Sequence, residues 1–455
     1  MAPLVKRYKL VIIILLFFLF RFYNIHHRVI FDWDQERDAW QIFDLFVNHK
    51  PTLIGPRVVN VNGFFLAPYY TYLLAPFYLA TRLHPYGSIL FLVAYNVVFF
   101  VSGWWIVQKL FSYRHALLFL LFWGTNSLLI TYDIIPWNPL LIPLGILITW
   151  YMLYRIYKKM SLLSTALLGF ILCFFLNFHV QFVFVILQAI VFCLLAMRQN
   201  KMDKLKKLKH IAIFAGAFLL PLAPLALFDL RHGFLNSHLF VNYFLNRQPS
   251  AGASYFAWLP VWSNFLKPLI QIPSIPVAMS VYFAVLGIFF YLYKKTSKFY
   301  SSFYLSFITL WLLSPLFFSL YNDRPSEYYF TFAYLYMFIA GADFVMRIKK
   351  ELLAYAIALI LVFCNMGEIR RVMQNNPWGL YAKDRVAAAM PRLMQGKIYN
   401  ISFDLELGRD NGYRYLLKQH GVTPSGNDAD PLIEIRRPPR PGDVRIDDTD
   451  IKIPQ

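Results

Sequence analysis

The sequence predicts an all-α polytopic membrane protein of about eleven transmembrane helices, with juxtamembrane helices on the outer face and a small C-terminal α/β appendage. Three observations predict it. Apolar types make up 58% of the 455 residues and charged types only 15%, against about 25% charged in soluble domains. Apolar runs long enough to cross a bilayer core recur along most of the chain. The basic residues, 44 against 24 acids for a formal charge of +20, fall in short clusters between those runs. Such clusters point to cytoplasmic loops, and nothing in the sequence resembles a nucleic-acid module.

Taken in order, the spans fall near 10–24, 88–107, 116–132, 140–154, 162–178, 180–197, 211–228, 268–293, 300–320, 328–346 and 352–366. The first follows Lys6, Arg7 and Lys9 as a signal peptide would, but Arg21, Phe22 and Tyr23 come next with no small-x-small cleavage site. It therefore reads as an uncleaved span. With the N-terminus cytoplasmic, the inner loops collect twenty basic residues, Lys204, Lys206, Lys207 and Lys209 among them, against the two acids Asp203 and Glu351. That is the positive-inside pattern. Leu66 to Leu83 is apolar enough to be a twelfth span, but counting it would put the lysine-rich loops outside. Its tyrosines, Pro68 and Pro76 suit an interfacial helix better. The three cysteines, Cys173, Cys193 and Cys364, lie in apolar runs and read as small buried hydrophobes.

The domain reading is a membrane module over 1–366, including a first outer loop at 25–87, and an extracytoplasmic tail over 367–455. The tail reads as helix (380–395), strand (397–405), helix (410–420) and strand (431–437), with 438–455 Pro-rich and loose. No internal repeat is evident, which weakens a transporter with inverted repeats.

Ionisable residues concentrate just beyond the first span, in Asp32-Trp33-Asp34-Gln35-Glu36-Arg37-Asp38-Ala39-Trp40 and then Asp44. Helical spacing puts Asp34, Arg37, Asp38 and Gln41 on one face. A carboxylate held by a nearby arginine stays ionised, as a general base must. The plain alternative is a solvated amphipathic helix, although so many acids are costly beside lipid unless they face a cavity. Further outer-face candidates are Arg57, Tyr69 and Tyr70 in the first loop, Asp133 and Asn138 in the next turn, Arg231 and His232, and Arg324. Arginines at an outer mouth run against the positive-inside bias, and guanidinium donors match phosphate oxygens. Local pairing, Asp229 with Arg231 and Asp323 with Arg324, is the competing explanation. Asp133 is equally well read as an interfacial cap, and the aromatics as an interface belt. Asp32-x-Asp34 lacks histidines at ligand spacing, and nucleotide motifs are missing, so neither a metal nor another cofactor is expected.

This arrangement resembles the GT-C superfamily of membrane glycosyltransferases. Within it the similarity is to glycosyltransferase family 39, the dolichyl-phosphate-mannose protein mannosyltransferases and bacterial aminoarabinose transferases. Asp34-Gln35-Glu36-Arg37-Asp38-Ala39 is similar to the family's acidic motif, with Asp34 at the catalytic position. Ala67-Pro68-Tyr69-Tyr70 looks like its Pro-Pro-Leu segment with one proline kept, and Asn138 stands where many relatives carry a second Asp. The resemblance covers about residues 1–370 and leaves the tail unmatched.

The resemblance implies a sugar donor on a polyprenyl phosphate and an acceptor that is a protein, lipid or glycan. Asp34 would deprotonate the acceptor hydroxyl, the anomeric carbon would invert, and Arg231, Arg324 and Arg57 would stabilise the leaving phosphate. Arg37, Asp38, Asp133, Asn138, Tyr69, Tyr70 and His232 would bind substrate. A bacterial plasma membrane is the expected location. The alternatives are a flippase or transporter of lipid-linked saccharides, which needs polar groups deep in the spans, and a non-catalytic scaffold.

Overall fold

The computed structural model describes residues 2–58, 63–199, 201–245, 258–266, 274–319, 326–347, 351–425, 430–437, 444–446 and 449–452. The expected fold class is found: helices joined by short loops, with one small sheet near the C-terminus. Among the described residues six helical units are long and apolar enough to cross a membrane: Gly87–Leu110, Asn138–Lys158, Val180–Gln199, Lys204–Arg231, Ile275–Lys295 and Glu327–Arg347. The other five expected spans are also helical. They are Ala2–Phe22, Lys298–Ser319, Glu351–Val372, the 15-residue Leu162–Leu176, and a pair broken at Asn126.

The breaks have local causes. Asn126 accepts a hydrogen bond from the Leu129 amide (3.1 Å), so it ends Tyr113–Thr125 and caps Ser127–Tyr132. Pro221 removes an amide donor, and a short 3₁₀ turn, Leu220–Leu222, splits Lys204–Leu219 from Ala223–Arg231. The segment that threatened the span count forms only the 12-residue helix Tyr69–Ala80. At 1.5 Å per residue it is about 18 Å long, against about 30 Å of hydrocarbon, so it cannot cross.

Polar side chains in the loops show which segments share an end of the bundle. Gln35 donates to the Pro136 carbonyl (3.1 Å), Asn177 accepts from the Ala67 amide (2.9 Å), and Asn236 accepts from the Phe65 amide (2.7 Å). These six residues lie in, or at the edge of, four segments that the charge pattern assigns to the outside. At the other end Tyr300 donates to the Leu110 carbonyl and Gln199 to Ser302 (2.8 Å). Between the ends lies an aromatic core in which Trp123, Trp150 and Trp311 are buried.

The tail is held tightly against the rest. Strand β1 (Asn400–Asp404) runs parallel to β2 (Leu432–Arg436). Strands β3 (Val444–Ile446) and β4 (Thr449–Lys452) extend the sheet antiparallel, in the order β1-β2-β4-β3. The expected tail elements are therefore present, while the stretch read as loose contributes two strands, β4 pairing with β2 and β3 with β4. The tail begins by hydrogen-bonding the first loop, with the Asn376 amide donating to His27 O and the Leu380 amide to Val29 O (both 2.8 Å).

Candidate active site at the head of the bundle

The acidic segment forms the helix Trp33–Phe46, entered through Asp32, whose amide donates to Gln35 Oε1 (3.0 Å). Gln35, Glu36, Asp38, Ala39 and Ile42 are buried, whereas Trp33 is exposed.

Tertiary contacts sort the carboxylates. Asp32 pairs with the Lys383 ammonium (2.5 Å), which is fully buried and also donates to the Phe31 and Asn411 carbonyls. Burial pulls that ammonium below the ordinary lysine range, against the attraction of Asp32. Glu36 is buried and accepts from the amides of Gly412 (2.7 Å) and Tyr415 (2.8 Å). Gly412 has φ +93°, and a Cβ there would collide with the Phe31 carbonyl, so only glycine permits this approach. Asp44 accepts from the Asn48 amide group (2.6 Å). Thus Asp32 and Glu36 serve tail docking.

The remaining two share Arg37. Its guanidinium reaches Asp34 Oδ1 at 2.6 Å and Asp38 Oδ1 at 2.7 Å. Asp38 is fully buried, whereas the Asp34 side chain keeps 42% of its surface exposed. Burial pushes the Asp38 carboxyl up to about 6, with Arg37 opposing and Asp34 adding to the rise. The Asp38 Oδ2 and the hydroxyl of Tyr70 are both buried and unpartnered among the described residues. Asp34 is therefore the half-open member of a carboxylate–guanidinium–carboxylate chain whose inner end is locked in the protein.

Aromatic rings line this end. Trp137 packs on Tyr328 (centroids 4.8 Å apart), Tyr328 on Tyr329 (4.6 Å) and His179 on Tyr329 (4.9 Å). Tyr328 lies within electrostatic reach of Asp34. Burial pushes the His179 imidazole down to about 3, so it is neutral near pH 7. Its Nδ1 accepts from the Gln181 amide (3.3 Å), leaving Nε2 as the protonated nitrogen. With its nitrogen turned inward, the Gln181 amide donates to the Tyr329 (2.9 Å) and Tyr328 (3.1 Å) carbonyls.

Other expected site residues are placed differently. Asp133 is buried, and its Oδ2 accepts from Arg21 Nε (2.9 Å) and Nη2 (2.5 Å) and from Trp123 Nε1 (3.0 Å). Asn138 is buried and donates to the Phe178 carbonyl. Tyr69 donates to the Pro221 carbonyl (2.8 Å), while the buried Tyr70 lies within electrostatic reach of Asp38.

Arg57 and Arg231 are both exposed. Arg57 lies over the Phe65 ring (5.2 Å), and Phe65 packs on Phe228, which stacks on His232. Asp229 does not pair with Arg231; it accepts from the Asn236 amide (2.7 Å) and the Ser237 hydroxyl (2.6 Å). Among the described residues no carboxylate pairs with Arg57 or Arg231. Arg324 lies outside the described residues.

The turn at 177–179 touches both regions, because Asn177 accepts from the Ala67 amide, two residues from Phe65, while His179 packs on Tyr328. Sequence reasoning missed Glu36 and Lys383 as tail anchors and Arg21 as the partner of Asp133. The available signal was an arginine ending one apolar run and an aspartate ending another. Nothing local marked Lys383.

No family model matches the sequence, and no curated protein does. Among solved structures the chain is similar to ArnT from Cupriavidus metallidurans bound to undecaprenyl phosphate, with 12% identity, a TM-score of 0.49, and 96% of this chain and 94% of that chain covered. The same protein in the apo state gives 13% identity and a TM-score of 0.48 over 96% and 93% of the two chains. The oligosaccharyltransferase of Archaeoglobus fulgidus, in complex with Zn and sulfate, gives 11% identity and a TM-score of 0.48 over 93% of this chain and 58% of that one.

Proposed function

We propose that this protein is a membrane glycosyltransferase of the GT-C type. It transfers a sugar from a polyprenyl-phosphate donor to an acceptor hydroxyl on the extracytoplasmic face. The observation that carries the reading is the sorting of the acidic helix: Asp32 and Glu36 are bound by the tail, Asp38 is buried, and Asp34 alone combines exposure with a firmly held arginine. Arg37 stabilises the ionised carboxylate and holds its direction, which a base needs before the acceptor arrives.

In the proposed step the acceptor oxygen attacks the anomeric carbon while its proton passes to Asp34. The bond from that carbon to the phosphate oxygen breaks with inversion, and the lipid phosphate leaves with the electron pair. Arg57 and Arg231, unpaired by any described carboxylate, are the groups suited to the anion that develops. Trp137 and Tyr328 offer flat faces for a sugar ring. The acceptor is a protein, lipid or glycan hydroxyl.

The test is Asp34→Asn in proteoliposomes supplied with polyprenyl-phosphate sugars. Loss of a general base predicts a fall in turnover of roughly 10²–10⁴-fold with little change in expression. Turnover close to wild type, in a variant that folds normally, would remove Asp34 from the chemistry.

A further inference from the structure

Away from the acidic helix, three side chains from distant parts of the chain converge on one spot. His84 lies in the turn after the short helix Tyr69–Ala80, Asp384 is on the tail helix Leu380–Met394, and His420 follows the helix Tyr413–Gln419. Nε2 of His84 stands 3.2 Å from Asp384 Oδ1, and Nε2 of His420 stands 2.8 Å from the same oxygen. The three ligand atoms all lie within 4.8 Å of one another. Side-chain exposures of 21%, 12% and 27% put the cluster at a partly open surface that an ion can reach.

Two further features support a built site. Tyr86 donates its hydroxyl to Asp384 Oδ2 (2.9 Å), so the carboxylate is held with Oδ1 toward both imidazoles. Outer partners of this kind orient metal-ligating carboxylates. His84 is also presented by a turn in which two consecutive non-glycine residues, Arg82 (φ 54°) and Leu83 (φ 66°), adopt the left-handed conformation. Such backbone cost is kept where the surroundings over-determine a functional geometry.

We propose that His84, Asp384 and His420 form a divalent-metal site that takes Zn²⁺ and fastens the tail to the first loop. Two imidazoles and a carboxylate are a common zinc donor set, with water completing the tetrahedron. Ligand atoms this close need shifts of only about an ångström to reach distances of about 2 Å from one ion. Loading requires Nε2 of His84 to be free of its proton. In the present arrangement Nδ1 accepts from the Tyr86 amide at 3.3 Å, a long contact, so moving the proton to Nδ1 gives up a weak bond. The inference stands apart from the transferase reading, because the ion lies between tail and loop and takes no part in the proposed step.

The experiment uses the full chain in detergent, stripped with chelator and titrated with Zn²⁺ alone. One ion per chain is expected by calorimetry and by metal analysis after dialysis, together with a rise in Tm. Co²⁺ in its place is expected to give the intense visible bands of a four-coordinate site. His420→Gln and Asp384→Asn should each lower the affinity at least tenfold and abolish the Tm rise. Absence of stoichiometric binding to wild type, or binding and Tm response unchanged in both variants, would overturn the site and leave a hydrogen-bonded cluster. Should one variant fail to fold, the Co²⁺ spectrum of wild type decides the matter by itself.

Discussion

At the scale of single residues, the candidate site turns on how one arginine is divided between two carboxylates. Asp38 is sealed in and Asp34 is open, so the same guanidinium anchors on one and aims the other. Burial raises the Asp38 carboxyl to about 6. A carboxyl raised on folding takes up a proton as the chain folds. Its contribution to stability is full below the unfolded value near 4, and is lost as pH rises through about 6. Wild type should therefore gain stability on the order of 2 kcal/mol from this group between pH 7 and pH 4. Asp38→Asn should remove that dependence from thermal melts. Protonation also loosens the anchor of Arg37, so transfer activity should fall as pH drops through about 6. A wild-type activity profile flat from pH 5 to 8 would dissociate Asp38 from the positioning of Asp34. The sequence shows five acids between 32 and 44 with nothing to rank them beyond helical spacing. Their ranking comes from Lys383 and the Gly412 and Tyr415 amides, more than 350 residues away along the chain for Asp32 and Glu36 alike.

At the scale of elements, the acidic helix and the tail form one unit. Glu36 supplies both backbone amides at the start of Tyr413–Gln419 with a charged acceptor, which also suits the positive end of a helix. Glu36→Gln should cost on the order of 2 kcal/mol, the usual range for hydrogen bonds to a charged group. The tail should then be cut faster by added protease while the membrane helices stay intact. An unchanged cleavage rate would show that the Lys383 contacts and the backbone bonds at 376–380 hold the tail without it. The helices and the first two tail strands were legible because apolar runs and turn residues have short periods, whereas β3 and β4, in the stretch read as loose, were not. The break at Asn126 was not, since an asparagine inside an apolar run declares itself as a cap only when the Leu129 amide turns toward it.

At the scale of the whole molecule, the charge pattern and the contacts agree on which loops share an end. Gln35 with Pro136, Asn177 with Ala67 and Asn236 with Phe65 join segments that the positive-inside rule places together. A topology test follows, using single cysteines in a background without Cys173, Cys193 and Cys364. Positions Leu407 and Lys206 are both well exposed, and they should label with an impermeant reagent from opposite sides of sealed vesicles. Labelling from one side would break the alternation of spans.

What the sequence determined by itself is the class of molecule: long apolar runs demand membrane helices, because lipid does not tolerate open backbone. The tertiary structure decided which carboxylate stays available. A buried charge must find a partner, and here the partners of Asp32, Glu36 and Asp133 come from segments remote in the chain. Such pairing depends on three-dimensional proximity, which no local pattern of residues encodes.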